Sequence, residues 1–211
     1  MSISQNPLFG AMRKSMANFS TYTRDGQNII RSKAFRPKDA KTKAQLAHRA
    51  GFKLIANGYQ LFGDIPSIGF VERKKNLNVY NAFMAANLRN AIDKTGDVAV
   101  IDYSKLIVSK GSLPAITVID CVVEAKVITV RFKTNIGLPK VSDTDDVALL
   151  IMYNDNGLHL VRQMRGKEPQ GSIQYSETDF IAADLRCCYL FALSADGKKS
   201  SNSVYVEISG Q

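Results

Sequence analysis

The sequence predicts an α+β fold in which an N-terminal arm, a β-hairpin and two helices precede an antiparallel β-sandwich. Between residues 42 and 92, apolar side chains recur at the spacing of helices. After Gly96 they alternate at the spacing of strands, and turn signals separate the runs. The chain has 211 residues, of which 45% are hydrophobic and 22% charged. These values are ordinary for a globular protein and argue against disorder.

The first fifteen residues have the periodicity of neither a helix nor a strand, and we expect them to form an arm. Leu8 and Phe9 lie in this segment and have no local core to enter. Ordering a chain terminus costs backbone entropy, and burial of two apolar side chains offsets only part of it. We therefore expect Leu8 and Phe9 to dock in a groove of a neighbouring subunit.

Residues 18–35 predict a β-hairpin, because two strand-like runs, 18–23 and 27–32, flank the tripeptide Arg24-Asp25-Gly26. An Asp-Gly pair favours a type I′ turn, which needs a positive φ at both central residues. Pro37 ends the second strand at the latest, since proline interrupts a strand ladder. Residues 36–41 then form a basic linker.

Two helices are expected next. The first begins near Thr42, where Thr42 and Gln45 match a capping box, and ends before Gly63 and Pro66. The second runs from about residue 77 to residue 92, with Asn76 or Asn78 as its cap. The connection 64–76 packs beneath both helices and carries a basic spot at residues 73–75.

Nine strand candidates follow, at residues 98–103, 105–109, 115–124, 126–133, 146–154, 157–164, 171–176, 185–195 and 202–209. Many short strands at regular spacing are typical of a β-sandwich. We therefore expect two domains. Residues 1–95 form a basic N-terminal region, and residues 96–211 form a sandwich domain that folds by itself.

Charge is distributed unevenly along the chain. Residues 1–95 carry a net charge of +11 and residues 96–211 a net charge of −2. This asymmetry indicates a region that meets a polyanion or an acidic protein surface, and a solvated surface is the simpler alternative. The candidate polyanion-binding residues are the basic side chains of segment 12–53, namely Arg13, Lys14, Arg24, Arg31, Lys33, Arg36, Lys38, Lys41, Lys43, Arg49 and Lys53.

Catalytic patterns are missing from the sequence. His48 and His159 have no ligand or acidic partner at metal-site spacing, and no nucleophile elbow of the form G-x-S-x-G occurs. The cluster at residues 143–146 has alternating aspartates, which can hold Ca²⁺, but it lacks further regular ligands and a closing glutamate, which favours a solvated turn before a strand. Phe19 and Tyr22 lie among basic residues and could stack on bases, or could pack the hairpin itself. We expect no catalytic residue, no cofactor and no metal.

The cysteines and the N-terminus bear on location. Cys121, Cys187 and Cys188 are an odd number without metal-like spacing, so we expect buried free thiols and a reducing or intracellular assembly site. The sequence has no apolar stretch long enough to span a membrane and no visible secretion signal. We expect the protein in a virion or in the cytoplasm, with no membrane partner.

The last two strands resemble the final hairpin of fibronectin type III-like modules. A long strand, residues 189–195, turns at Gly197 and leads through the serine-rich residues 200–203 into the last strand. This resemblance implies that the sandwich is of the immunoglobulin or fibronectin III type.

The whole chain also resembles an uncharacterised protein family of Bacteroidota and their phages, a domain of unknown function. The resemblance lies in the segments 8–10, 30–33, 42–52, 81–83, 101–104, 108–114, 194–198 and 202–205. It implies no catalytic residues.

Three functional hypotheses remain. The first is a non-enzymatic structural protein of a larger assembly, in its sharpest form a phage virion component whose sandwich is a binding or decorating module and whose partners are other subunits. The second is a protein that binds DNA or RNA without sequence specificity through segment 12–53. The third is an enzyme of unrecognised type.

Overall fold

The computed structural model describes residues 2–4, 14–16, 18–33, 39, 41–93, 99–124, 126–153, 157–176 and 184–208, with 2–4 and 14–16 described by their backbone only. Its elements confirm a mixed α+β fold. The helices are α1 (Lys43–Leu61), α2 (Ile65–Gly69) and α3 (Val79–Asn87). The strands are β1 (Ser2–Ser4), β2 (Lys14–Met16), β3 (Phe19–Arg24), β4 (Gln27–Ser32), β5 (Ile92–Asp93), β6 (Val100–Ile101), β7 (Thr117–Glu124), β8 (Val127–Lys133), β9 (Asp146–Tyr153), β10 (Leu158–Met164), β11 (Gln170–Ser176), β12 (Leu185–Leu193) and β13 (Val204–Val206).

The chain divides into two compact units, residues 1–42 and residues 43–211. The first unit contains the predicted hairpin, β3 and β4, which are antiparallel and pair from Phe19 opposite Ser32 to Arg24 opposite Gln27. Asp25 has a φ of 50° and Gly26 a φ of 75°. These are the positive φ values that the Asp-Gly turn requires, so the predicted hairpin is confirmed.

The expectation that the first fifteen residues have no regular structure is wrong for two short segments. β1 pairs with β4 and β2 pairs with β3, which gives a four-stranded sheet in the order β1-β4-β3-β2. A two-stranded hairpin leaves unpaired N–H and C=O groups along both edges, and these groups recruit any strand within reach. Leu8 and Phe9 lie outside the described residues.

In the second unit, the predicted first helix is present as α1, and it continues without a break through Gly51 and Gly58, which are buried together with Ile55. The two glycines lie against Ile92 and Ile101, which belong to the small β5–β6 ladder. A short helix, α2, occupies part of the segment that we expected to be a connection.

α3 is shorter than expected. Its cap is Asn78, one of the two predicted candidates, which accepts a hydrogen bond of 2.7 Å from the backbone N–H of Asn81. The helix ends at Asn87, where the buried side chain turns to residue 107 of the following segment.

Residues 113–208 contain the sandwich. Strands β7, β8 and β11 form one sheet in the order β11-β8-β7. Strands β9, β10, β12 and β13 form a second sheet, called the central sheet below, in the order β10-β9-β12-β13. All pairings within both sheets are antiparallel. The inward faces share one core, which includes Ile128, Val130 and Phe132 from the first sheet and Leu149, Ile151 and Leu190 from the second.

The second sheet is buried on both faces. Successive residues of β9 alternate between two cores, with Leu149 facing the other sheet and Leu150 packing with the helices. The helix-side core joins Leu150, Tyr189 and Phe191 of the sheet to Ile55 and Phe83 of the helices. The second unit is therefore three-layered, with helices, a central sheet and an outer sheet.

This layering places the division of the chain elsewhere than expected. We expected a boundary between residues 95 and 96, whereas the compact units divide between Thr42 and Lys43. The helices share a continuous apolar core with the central sheet, and a boundary is found where few contacts cross.

One strand candidate, residues 105–109, is not a strand. A 3₁₀ turn, Tyr103–Lys105, replaces its beginning. The backbone N–H and C=O of Ile107 then bond to the Asn87 side chain instead of to a neighbouring strand. Val108 and Ser109 bond to Ser203, and the Lys110 N–H bonds to the Gly69 carbonyl oxygen, so the segment belongs to no sheet.

Candidate functional site

Three chain segments that are distant in sequence meet at one edge of the central sheet, and we call this meeting point the serine junction. Its members are Gly69, Glu72, Ser109, Ser112, Ser200 and Ser201. The hydroxyl of buried Ser109 lies 2.7 Å from the Ser201 carbonyl oxygen and 3.1 Å from the Gly69 carbonyl oxygen, and its single hydrogen is shared between them. Buried Ser200 donates to the Gly69 carbonyl at 2.8 Å. The hydroxyl groups therefore fasten the end of α2 to the loop before β13.

Gly111 is required at this junction because the chain segments approach each other closely. A Cβ atom at this position would collide with the Ser200 carbonyl oxygen and with Oε2 of Glu72. The run Ser109-Lys110-Gly111-Ser112, which is part of the resemblance described above, is thus explained by tertiary packing.

Glu72 is the charged member of the junction. Its Oε2 accepts hydrogen bonds from the backbone N–H groups of Ser112 and Ser200, at 2.7 and 3.1 Å. Burial raises the pKa of Glu72, but the hydrogen bonds from Ser112 and Ser200 and the charge of Lys199 outweigh it, so the pKa lies below its ordinary value of 4.5.

We expect Glu72→Gln to lower the melting temperature by about 2 °C at neutral pH, because a mostly exposed carboxylate contributes little. A carboxyl group whose pKa is lowered by folding stabilises above its unfolded pKa, and this contribution is lost as the pH falls through the folded value. The difference between wild type and variant should therefore vanish in melting curves recorded well below pH 4.5. Glu168→Gln, at an exposed position, is the control, and a difference that stays constant with pH would contradict the assignment.

Beside the junction lies an open depression of about 450 Å³. We call it the α3 depression, because Ala82, Ala85 and Ala86 of that helix line it. Phe70 and Leu77 complete an apolar floor. Arg73, Lys74 and Lys110 stand at its rim together with Glu72. The depression combines an apolar floor with a cationic margin, which suits a ligand that has both apolar and anionic parts.

Arg73 is fixed in place at this rim. Its Nε donates to the Leu77 carbonyl oxygen at 3.1 Å, and its Nη1 donates to the Phe70 carbonyl oxygen at 3.3 Å. Two backbone bonds on one guanidinium reduce the rotamer entropy that a ligand would otherwise have to remove.

The predicted polyanion-binding residues are spread over both compact units. In the part of the chain that the structure describes, Arg24, Arg31, Lys33, Lys41, Lys43, Arg49 and Lys53 are all exposed. Lys14 is described by its backbone only, and Arg13, Arg36 and Lys38 lie outside the described residues. The three on α1 belong to the second unit, and Arg24, Arg31, Lys33 and Lys41 belong to the first.

The hairpin brings some of these charges next to aromatic rings. The Arg31 guanidinium lies over the Tyr22 ring, 5.9 Å from its centroid. Phe19 is 52% exposed and Tyr22 is 37% exposed. Cation–π contact holds Arg31 over the ring, and the exposed aromatic surface is available to a partner.

The two histidines and the three cysteines were the other candidate reactive residues. His159 packs its ring near Tyr153 and Tyr175, at centroid distances of 5.5 and 5.1 Å, whereas His48 is exposed on α1. The three cysteines are buried and free, and burial raises the pKa of Cys121 to about 11. Because they are buried, none of the three cysteines is placed to react at neutral pH.

The aspartates of residues 143–146 form a turn. Asp145 is buried and accepts a 2.9 Å hydrogen bond from the backbone N–H of Ser142, and Asp143 lies 3.7 Å from the Lys167 ammonium. Arg165, buried beside them, donates to the Thr134 carbonyl oxygen at 2.9 Å. Among the described residues, no group of three or more histidine, cysteine or acidic side chains has the arrangement of a metal site.

The sequence indicated only one part of the α3 depression, the basic spot at residues 73–75. The sequence does not indicate the alanine floor, because an alanine in a helix does not by itself signal that it is exposed. Lys110 lies 36 residues from Lys74 in the sequence. It reaches the rim of the depression only through the tertiary contact between two loops.

Comparison with known proteins places the chain in a family context. A family model described as "Family of unknown function (DUF6266)" matches residues 11–207. Neither the curated proteins nor the solved structures contain a match to the chain. In the ranges that the structure describes, no helix has the length and hydropathy needed to cross a bilayer.

Proposed function

The chain belongs to DUF6266, a family of unknown function, and we propose that it is a non-enzymatic structural protein of a larger assembly, a phage virion component with an immunoglobulin-like binding or decorating module. The family resemblance noted above, to proteins of Bacteroidota and their phages, supports the virion form of this proposal. Its fibronectin III-like part is the sandwich formed by β7 to β13.

The strand order carries the proposed immunoglobulin-like module. Counting from β7, the first, second and fifth strands form one sheet, and the third, fourth, sixth and seventh form the other. Immunoglobulin-like domains likewise separate their A, B and E strands from their C, F and G strands. Domains of this architecture are common as binding modules, although the fold alone does not determine a function.

Exposed apolar side chains on a regular element support a docking role. Leu46 and Phe52 on the first half of α1 are 49% and 44% exposed. The described part of α1 has no acidic residue, and its basic side chains Lys43, Arg49 and Lys53 are exposed on the same part of the helix. An exposed helix segment of this composition suits contact with an acidic and partly apolar protein surface.

The test is the sedimentation of the native protein. In lysates of cells that carry the gene at its own locus, we expect the chain to sediment with particles and to remain at a fixed copy number through gradient purification. Replacement of Leu46 and Phe52 by serine should reduce incorporation severalfold, since each exchange removes exposed apolar surface from the first half of α1. Recovery of the chain only as a free monomer, with no particle-associated fraction, would overturn the proposal.

The basic aromatic hairpin favours a second candidate function, binding of DNA or RNA without sequence specificity. Tyr22 and Phe19 offer stacking surfaces, and Arg24, Arg31 and Lys33 offer charge for phosphates. Stacking on aromatic side chains tolerates every base, which fits binding without sequence preference.

We expect the full-length protein to bind single-stranded DNA with an affinity that falls steeply with salt, because neutralised phosphates release counterions. Replacement of Arg31, Lys33, Arg36 and Lys38 by serine should weaken binding and reduce the salt slope by about 0.7 for each phosphate that the variant no longer neutralises. Fluorescence anisotropy over a salt series measures both quantities.

The control replaces four exposed basic residues of the second unit, Lys75, Arg89, Lys133 and Arg162, by serine. This variant has the same net charge as the first. Equal slopes for the two variants would mean that binding follows net charge and not the hairpin.

A further inference from the structure

We propose that the α3 depression binds an acidic segment of a partner protein, with one carboxylate on Arg73 and a neighbouring apolar side chain on the alanine floor. The inference rests on the proposed function in one respect, that the chain acts by binding other proteins. It adds the place of binding and the chemistry of the partner.

The floor is suited to a peptide side chain. Ala82, Ala85 and Ala86 lie three and four residues apart and so share one face of α3. Their small side chains let a peptide backbone approach the helix closely, while Phe70 and Leu77 supply apolar contact. A volume of about 450 Å³ is within the range of ligand sites and admits only a short part of a chain.

Arg73 provides the polar recognition. Its Nε and one Nη1 hydrogen are engaged by backbone carbonyl groups, and within the described residues the remaining N–H groups of Nη1 and Nη2 have no partner. These remaining donors form the planar end of the guanidinium, which matches the two oxygens of a carboxylate. Because the side chain is already ordered, its binding to a carboxylate costs little further entropy.

The surrounding charge favours an anion. Lys74 and Lys110 are exposed and form no ion pair with any described residue. Glu72 offsets one of the three positive charges of Arg73, Lys74 and Lys110, and its Oε2 is held by the N–H groups of Ser112 and Ser200. The margin therefore keeps an excess of positive charge beside an apolar floor.

This combination favours a protein segment over a nucleic acid. A sugar–phosphate backbone would satisfy the cations but leave the half-buried Leu77 and the exposed Ala85 uncovered. An aspartate or glutamate next to an apolar residue satisfies both parts of the depression. The partner segment therefore pairs a carboxylate with an apolar residue.

The experiment uses full-length protein and blocked tetrapeptides of the form glycine–X–aspartate–glycine, where X is alanine, leucine or phenylalanine. Matched peptides carry asparagine in place of aspartate. Titration followed by amide chemical shifts measures each affinity and its location. We expect aspartate peptides to bind about tenfold more tightly than asparagine peptides, with leucine or phenylalanine preferred to alanine and with shifts centred on residues 70–86 and 110–112.

Arg73→Gln should reduce the preference for aspartate over asparagine to less than about twofold, whereas Arg162→Gln, which removes the same charge elsewhere, should preserve it. Because Arg73 also holds two backbone carbonyls, its replacement can perturb the loop. Lys74→Gln combined with Lys110→Gln is the second variant. Neither lysine side chain bonds to a described residue, so this variant should fold. It should lower the preference for aspartate over asparagine about threefold.

Several results would overturn the inference. These are equal affinity for aspartate and asparagine peptides, an unchanged preference in both the Arg73 and the double-lysine variant, or shifts centred elsewhere. An oligodeoxythymidine that displaces the peptide would assign the depression to nucleic acid, and Arg73-dependent dimerisation in sedimentation velocity would assign it to a second copy of the chain. The particle sedimentation test is independent of these results, because a chain that never enters a particle can still show aspartate-dependent binding.

Discussion

Residues 96–211 expressed alone are expected to aggregate or to melt without cooperativity, whereas residues 43–211 are expected to fold. The shorter fragment lacks the helices and so exposes the helix-side face of the central sheet, including Leu150, Met152, Tyr189 and Phe191. Burial of four such side chains contributes about 6–12 kcal/mol. This amount is comparable to the whole stability of a domain.

The measurement is a comparison of the two fragments by calorimetry and by binding of a hydrophobic dye. The expected result is a single cooperative transition for residues 43–211, and dye binding with a broad transition or precipitation for residues 96–211. The longer fragment also serves as a control, because it lacks the same first unit that the shorter one lacks. A cooperative melt of residues 96–211 near that of the longer fragment would contradict the three-layered arrangement and restore the boundary that the sequence suggested.

Asn87→Ala is expected to be the most destabilising exchange of a single polar side chain in α3. Asn87 is fully buried, and its Nδ2 donates to the carbonyl oxygens of Phe83 and Ile107, at 3.0 and 2.8 Å. Its Oδ1 accepts from the Ile107 N–H at 2.7 Å. The variant leaves both polar groups of Ile107 without a partner, which costs about 3 kcal/mol.

This loss corresponds to a fall in melting temperature of about 6–12 °C for a protein of this size. The matched control is Asn90→Ala. Asn90 donates to the Ala86 carbonyl at 3.2 Å from an exposed position, so its replacement should cost less than about 0.5 kcal/mol. Similar losses for the two variants would show that the bonds to Ile107 contribute no more than a surface contact.

The local elements could be predicted because their signals lie within a few residues of one another. The Asp25-Gly26 turn needs positive φ values at two adjacent positions, and the Asn78 cap acts on a residue three positions away. The limits of β8 to β12 lie within two residues of those expected, since turn residues mark the ends of strands.

The burial of the central sheet on both faces also corresponds to a pattern in the sequence. Residues 147–152 and 187–193 are continuous apolar runs without alternation. Such runs are typical of strands covered on both faces. They indicated a third layer, whereas the count of strands alone suggested a two-layered sandwich with an independent helical region.

The candidate site could not be obtained in this way. Its parts are the end of α2, one face of α3 and the loop at residues 110–112, and none of these has a distinctive pattern. Serine at positions 109, 200 and 201 is equally common in exposed loops. Only the tertiary structure places the Ser109 and Ser200 hydroxyl groups against the Gly69 and Ser201 carbonyls and leaves the Arg73 fork at the margin of an apolar depression.

The sequence by itself determined the mixed α+β class, the hairpin turn, the first helix and the sandwich strands, because hydrophobic periodicity and turn chemistry act over a few residues. The tertiary structure decided which strands share a sheet, that the helices cover the central sheet, and that the chain divides at Thr42. It also decided that β1 and β2 complete the hairpin sheet. These outcomes depend on the burial of surfaces that only distant segments can cover, and local spacing carries no record of which segments meet.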